Sequence, residues 1–286
     1  MQSRRRNDDL IVGGHPMANG SDSINRYGDI SHLSQKTKEQ WLTEGTAHYQ
    51  VQRYEEALEA YTNVLLLDPS LADVYNRKGF VLLKLRRSEE AFDAFSKARA
   101  TYEFRIHQHP TDAEAYIGKG LALYGLDRQL EALFTFEYAL ELDPKNAEAH
   151  NGIGLILTAT GHDKEALAAF ERAILSAPTH AAYFVNKGSV LLKLKWYAEA
   201  LGAAERAIQL DPTDAEAYRI KGHALRKLKC YMDALGVYER LLALNPNLEL
   251  AWYNKAEMLR RLGRSKEAKQ TYATFRRMAQ RRGMGW

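Results

Sequence analysis

From Pro110 onward a proline returns every 34 residues, at Pro110, Pro144, Pro178, Pro212 and Pro246. A fixed period of that length marks a repeat architecture and constrains the fold more tightly than any composition value. Aligned on these prolines, seven units begin at Lys38, Ala72, Ala113, Ala147, Ala181, Ala215 and Glu249. Their fourth position holds Trp41, Tyr75, Tyr116, His150, Phe184, Tyr218 and Trp252. The eighth is glycine in six units, from Gly45 to Gly222, and Ala256 in the last. Position 20 is alanine in all seven, from Ala57 to Ala268, and position 24 is Tyr61, Phe95, Phe136, Phe170, Ala204, Tyr238 and Tyr272.

Two amphipathic helices account for each unit. Positions 4, 7, 8 and 11 share a face of the first, and 20, 24 and 27 share a face of the second, at i, i+3, i+4 spacing. The proline near position 32 cannot donate to a helical ladder and disfavours helix just before it, so stretches such as LDPTDAEAY end one helix and begin the next. Each glycine costs about 1 kcal/mol relative to alanine inside a helix. Glycine at position 8, with alanine at position 20 opposite, therefore predicts a close crossing of two backbones.

These residues, aromatic at 4, glycine at 8, alanine at 20, aromatic at 24 and proline at 32, repeat in register from 38 to about 282. The pattern resembles the tetratricopeptide repeat (TPR) family. That resemblance implies an all-α, right-handed alpha-alpha superhelical solenoid of seven helix-turn-helix repeats, with first helices lining a concave groove that holds a partner's peptide or helix. Position 7 departs from the family's leucine, with Lys78, Lys119, Lys187, Lys221 and Lys255 among its residues. Those lysines are expected to lay their stems along the core edge with the ammonium in water.

Pro69 stands 41 residues before Pro110, so repeat two holds seven extra residues. Seven residues turn an α-helix almost two full revolutions, about 20° short. In AFSKARATYEFRIHQHP, Ala98, Tyr102, Ile106 and His109 continue one stripe. The spacing predicts a second helix prolonged through 100–110, forming a ledge that either adapts packing or receives a partner. A longer inter-repeat loop is the alternative.

At positions 21 and 28 the last unit has Lys269 and Arg276 where most others are apolar. This suits a terminal repeat with a polar outer face, so the array is expected to end there, with 283–286 as a tail. Residues 1–37, rich in Asn, Gly, Ser and Asp and lacking periodicity, read as a disordered arm. They contain no apolar segment of signal-peptide length, and Cys230 is the sole cysteine, which together point to the cytoplasm. No apolar run approaches the roughly 20 residues needed to span a bilayer.

Chemistry is sparse. No GxxxxGK[ST], GxSxG, HExxH or CxxC motif occurs, so neither an enzyme nor a cofactor or metal site is expected. Gly118-Lys119-Gly120 lacks the third glycine of a dinucleotide loop. His107 and His109, two apart, point to different sides of a helix. His48 and His150 occupy core positions, and Cys230 sits in a turn.

What remains is the groove that the resemblance implies. Carrying the family's positions 5, 9 and 12 onto this chain gives Asn76, Phe80, Leu121, Tyr124 and Asn151 in an apolar, aromatic-flecked N-terminal half. The C-terminal half offers Arg219, His223, Arg226, Tyr253 and Arg260, with Lys193 beside them at position 13. Asn186 and Asn254 at position 6 match asparagines that other arrays use to hold a ligand's backbone. The Lys and Asn pair of the chaperone-tail clamp is found in no repeat. A bipartite ligand is expected, apolar at one end and acidic at the other, since arginine's planar fork binds carboxylate through two parallel hydrogen bonds.

Residues 249–286 hold ten Lys or Arg and three Glu. Binding of nucleic acid or another polyanion through this basic end is the alternative function, although few aromatics are placed to stack on bases. A non-catalytic subunit of an enzyme complex, and self-association through the array's ends or through Met284 and Trp286, are further alternatives.

Overall fold

The structure, a computed structural model, describes residues 36–281. Of the arm assigned to 1–37 only Lys36 and Thr37 are described, with Thr37 capping the first helix, and the rest, like the tail at 283–286, lies outside the described residues. Fourteen α-helices, with no strand among the described residues, follow one another in seven antiparallel pairs. The pairs are α1 Lys38–Gln50 with α2 Tyr54–Leu67, α3 Ala72–Lys84 with α4 Ser88–Gln108, and α5 Ala113–Gly125 with α6 Gln129–Leu142. They continue with α7 Ala147–Ala159 and α8 Asp163–Ser176, then α9 Ala181–Lys193 and α10 Tyr197–Leu210. The last are α11 Ala215–Lys227 with α12 Tyr231–Leu244, and α13 Glu249–Arg261 with α14 Ser265–Arg281. Stacked in order, the pairs form the right-handed solenoid.

Local chemistry sets the boundaries. Each first helix ends through a left-handed residue at position 15: Gln52, Arg86, Asp127, Lys195 and Lys229 at φ 60–65, and Gly161 and Gly263 at φ 82 and 76. The next amide then reaches back five residues, as in Arg87 N–H to Leu82 O and Cys230 N–H to Leu225 O, both at 2.9 Å. This closes the Schellman motif that satisfies the helix's last carbonyls. Before four of the six inter-repeat prolines, Asp68, Asp143, Asp211 or Asn245 accepts from the amide two residues on, turning the chain toward the next helix. Tyr116, His150, Tyr218 and Trp252 at position 4 each donate to the carbonyl of the proline six residues earlier.

The glycines do not mark a backbone crossing against position 20. They make room for the rings of position 24. A Cβ on Gly79, Gly120 or Gly154 would lie 2.6–2.7 Å from ring atoms of Phe95, Phe136 or Phe170, a separation that carbon atoms do not tolerate. Phe136 fills a second notch at Gly152 of the next repeat, so one ring bonds two repeats by shape. Repeat five reverses the sizes. Ala204 replaces the aromatic, and Ile220 of the next repeat, fully buried, approaches Gly188 instead. The alanines of position 20 are buried in every repeat.

The seven extra residues of repeat two are helical: α4 has 21 residues where the other internal second helices have 14. They add a second ring to the inter-repeat contact. Phe95 sits against Gly79 of its own repeat and Gly125 of the next, and Tyr102, two turns later, fills the notch at Gly118. Tyr102 is buried with Ala72, Ala98, Ala115 and Ala122. The insertion thus moves the inter-repeat face along α4 without rotating it.

Four of the five lysines of position 7 end on carboxylates rather than in water. Lys119–Glu103, Lys187–Glu171, Lys221–Glu205 and Lys255–Glu239 pair at 2.8–3.2 Å, each linking a second helix to the first helix of the following repeat. Half-exposed pairs of this kind contribute about 0.2–1 kcal/mol apiece.

Because Tyr102 occupies the space a Cβ on Gly118 would need, Gly118→Ala should destabilise the protein by about 1–3 kcal/mol. In a Tyr102→Ala background that penalty should vanish, giving a double-mutant coupling of the same size in urea unfolding. Equal penalties in both backgrounds would show that the ring does not set the requirement.

Candidate functional site

Successive first helices touch one another, α3 with α5, α5 with α7, α7 with α9 and α9 with α11. No two second helices make comparable contact among the described residues. The stack therefore curves toward its first helices, whose free faces form the inner wall. Curvature also brings the α1–α2 corner round to repeat six. Burial pushes the Tyr49 phenol up to about 12, with Tyr54, Tyr61 and Asp214, the N-cap of α11, adding to the shift. Tyr54 is likewise raised, by burial first and then by Glu216.

Between these two parts lies a cavity of about 560 Å³. Gln52 and Tyr54 form one side, and Arg219, His223, Arg226, Tyr238, Leu248 and Asn254 stand among the residues of the other. Arg226 has no carboxylate within ion-pair distance among the described residues, and its Nε is buried without a hydrogen-bond partner. It sits beside the Tyr238 hydroxyl, whose pKa burial raises and Arg226 pulls back. The helix explains its isolation: three and four residues earlier stand His223 and Gly222, so no local carboxylate reaches it. His223 is held below its ordinary value of 6.5, chiefly by burial and then by Arg226, Lys227 and Arg219.

The other two arginines expected to receive an acidic ligand are already occupied. Arg219 forks onto both carboxylate oxygens of Glu216. Arg260 forks onto Glu257 at 2.9 and 2.6 Å. Glu257 also accepts from Arg261 and Tyr272, and these donors, led by Arg260, hold its carboxyl down to about 2. In each case a glutamate three residues earlier on the same helix supplies the partner. Arg264 at the basic end pairs with Glu267, three residues later.

The asparagines separate too. Asn76 is buried and donates to the Gly118 carbonyl at 2.8 Å, tying α3 to α5 rather than facing the groove. Asn186 donates to Asn151 at 2.7 Å across two repeats, and Asn254 lines the cavity. Lys193 donates to the Thr158 carbonyl at 3.0 Å and lies 3.5 Å from Asp163, serving as a link between α9 and the end of α7. On the apolar half, Phe80 stands edge-on to Phe95 with centroids 5.0 Å apart. Leu121 and Tyr124 are half-buried against the Ile117–Phe136 cluster. Tyr253 is exposed, its ring edge-on to Tyr272 and Phe275 of α14.

Gln52 and Tyr54 were not foreseen. No local pattern marks them as cavity residues, because their placement depends on the superhelical turn of the four repeats between one and six. Among the described residues no three His, Cys, Asp or Glu side chains gather as a metal site, and no helix is long and apolar enough to cross a membrane.

Comparison with known proteins agrees with this architecture. Models described as tetratricopeptide repeat match residues 70–145, 130–184, 161–215, 203–236 and 237–270, and one described as TPR repeat matches 45–85. The chain belongs to the tetratricopeptide repeat family. Among solved structures it is similar to YrrB, described as a TPR protein with an unusual peptide-binding site, at 26% identity and a TM-score of 0.56, covering 62% of this chain and 91% of that one. MamA from Desulfovibrio magneticus RS-1 matches at 22% identity and a TM-score of 0.56, over 59% of this chain and 95% of that one. The Cut9–Hcn1 assembly of the APC/C matches at 19% and 0.55, over 81% of this chain and 44% of that one. The latter two show the fold alone. No curated protein matches the chain in sequence.

Removing the Asn76 side chain breaks the bond that ties α3 to the Gly118 carbonyl, so Asn76→Ala should cost about 1–1.5 kcal/mol in urea unfolding. Asn254→Ala, at the cavity wall, should change stability by no more than about 0.5 kcal/mol. Similar losses at both positions would contradict the division between structural and groove asparagines.

Proposed function

We propose that this chain is a protein-interaction scaffold that holds a peptide or helix of a partner along its inner wall, with an acidic ligand residue at Arg226. The observation that carries the reading is Arg226 itself, a cation without a carboxylate, in a cavity that also offers His223, Asn254 and the apolar sides of Tyr54 and Leu248. Its buried Nε lacks an acceptor, and a ligand carboxylate supplies both that acceptor and the opposite charge. Phe80, Leu121 and Tyr124 remain as the apolar half of the wall. Peptide binding named for YrrB, whose fold this chain shares, supports the same class of activity.

The ligand bridges the array. Tyr54 and Gln52 come from repeat one and Arg226 from repeat six, so a bound acidic segment touches both ends of the superhelical turn. An anion in the cavity also offsets the cations that depress His223. Binding then takes up a proton, and affinity should rise as pH falls from about 8 to about 6, through the ordinary histidine range.

The test is fluorescence anisotropy with a labelled peptide carrying apolar residues at one end and glutamates at the other. Arg226→Ala should weaken binding about tenfold or more, the scale of a lost charge-assisted hydrogen bond. Arg219→Ala and Arg260→Ala should change it less than about threefold, because their forks are already filled. Tyr54→Ala should weaken it, and His223→Gln should flatten the pH profile. Affinity that ignores both salt and Arg226→Ala would remove the proposal.

A further inference from the structure

The second helices face outward, and five of the seven repeats cover positions 18, 22 and 26 with polar, charged or small residues. Glu55 and Glu59, Glu89 and Asp93 occupy them in the first two repeats, and Arg172, Arg206 and Arg240 stand at position 26 in repeats four to six. Met232 is the one large apolar side chain at these positions outside repeat three. Repeat three breaks the rule at all three. Leu130, Phe134 and Tyr138 of α6 are 73%, 68% and 41% exposed.

The three residues are four apart, so each lies about 40° round the helix from the last, and together they form a stripe about 12 Å long. Its far end is fixed: the Tyr138 ring lies 4.7 Å from that of Tyr116, whose hydroxyl donates to the Pro110 carbonyl at 3.1 Å. Three exposed apolar side chains aligned along one face of a helix mark an interaction site.

Charge identifies what covers it. Glu131 borders the stripe on one side and Glu137 on the other, with Glu141 at its C-terminal end, and α6 contains no lysine or arginine. Glu131 is engaged by Arg128. Glu137 and Glu141 have no ion-pair partner among the described residues. A second copy of the same face is a poor fit. Antiparallel pairing about Phe134 would set Glu137 against Glu131 and Glu141 against Asp127, and parallel pairing would set each glutamate against itself. An anionic lipid surface meets the same repulsion.

We propose that the outward face of α6 docks an amphipathic helix of a partner protein, whose apolar stripe is bordered by lysine or arginine. Leu130, Phe134 and Tyr138 form the ridge against which that helix packs, while Glu137 and Glu141 accept its cations and set its orientation. The site lies on the opposite side of the array from the Arg226 cavity and does not depend on it.

The test uses two labelled helical peptides of about 18 residues, long enough to span the stripe. Both carry one leucine stripe, flanked by lysines in the first and by glutamates in the second. The lysine peptide should bind wild type saturably and the glutamate peptide should not. Phe134→Gln, and separately Glu137→Lys with Glu141→Lys, should each weaken the lysine peptide about tenfold or more, the size expected when an interface anchor is lost. Arg226→Ala should leave that affinity unchanged. Because these side chains are exposed, the variants should melt with wild type; if Phe134→Gln does not, Leu130→Gln takes its place. Equal binding of both peptides, or indifference to Phe134→Gln and Leu130→Gln, would overturn the proposal. So would sedimentation showing a dimer of the free protein that Phe134→Gln dissolves, since the face would then belong to a second copy.

Discussion

A ring set into a glycine notch is the contact on which the array depends. Phe136 illustrates it: the same side chain closes against Gly120 within its repeat and against Gly152 in the next. Alanine at either glycine would drive a carbon into the ring, and a smaller residue at 136 would leave a void between repeats. In a solenoid each unit touches only its neighbours, so this contact is the path by which stability passes along the chain. Ala204 and Ile220 show that the total volume matters more than which side supplies it, since the large residue has moved across the interface and the fit is kept.

The same principle accounts for the irregular repeat. An insertion that rotated α4 would carry its docking ring away from α5. Seven residues nearly restore the phase, and the chain uses them to present a second aromatic, Tyr102, two turns beyond Phe95. Glu103 then stands sixteen residues before Lys119, the separation at which the other inter-repeat ion pairs form. Both the apolar notch and the ion pair are rebuilt at the displaced position. The prolonged helix thus serves packing between repeats two and three.

The period, the paired helices and the insertion's phase were legible in the sequence because each follows from local spacing. The partners of the glycines were not. Position 20 and position 24 lie on one face of the second helix, and only the packed structure shows that the ring, rather than the alanine, fills the notch. The groove was legible as a set of positions but not as a set of available groups. Arg219 and Arg260 each carry a glutamate three residues before them, a spacing visible in the sequence and sufficient to predict their capture. Asn76 is different. Its acceptor is a backbone carbonyl 42 residues away, for which the sequence holds no sign.

Once the side chains engaged in holding the solenoid together are set aside, the remaining free groups fall on two faces. Inside, curvature places Tyr54 of the first repeat opposite Arg226 of the sixth, so a cation without a local partner meets a wall that belongs to a distant part of the chain. Outside, α6 has no neighbouring second helix packed along its outer side, and its stripe stays open for the same geometric reason that the inner helices crowd together. Bending a stack of helix pairs necessarily compresses one surface and spreads the other. The compressed surface makes enclosed, polar, chain-distant sites, whereas the spread surface isolates single helices whose character is set by their own sequence. Leu130, Phe134 and Tyr138 are therefore readable from α6 alone, and the Arg226 cavity is not readable from any one repeat.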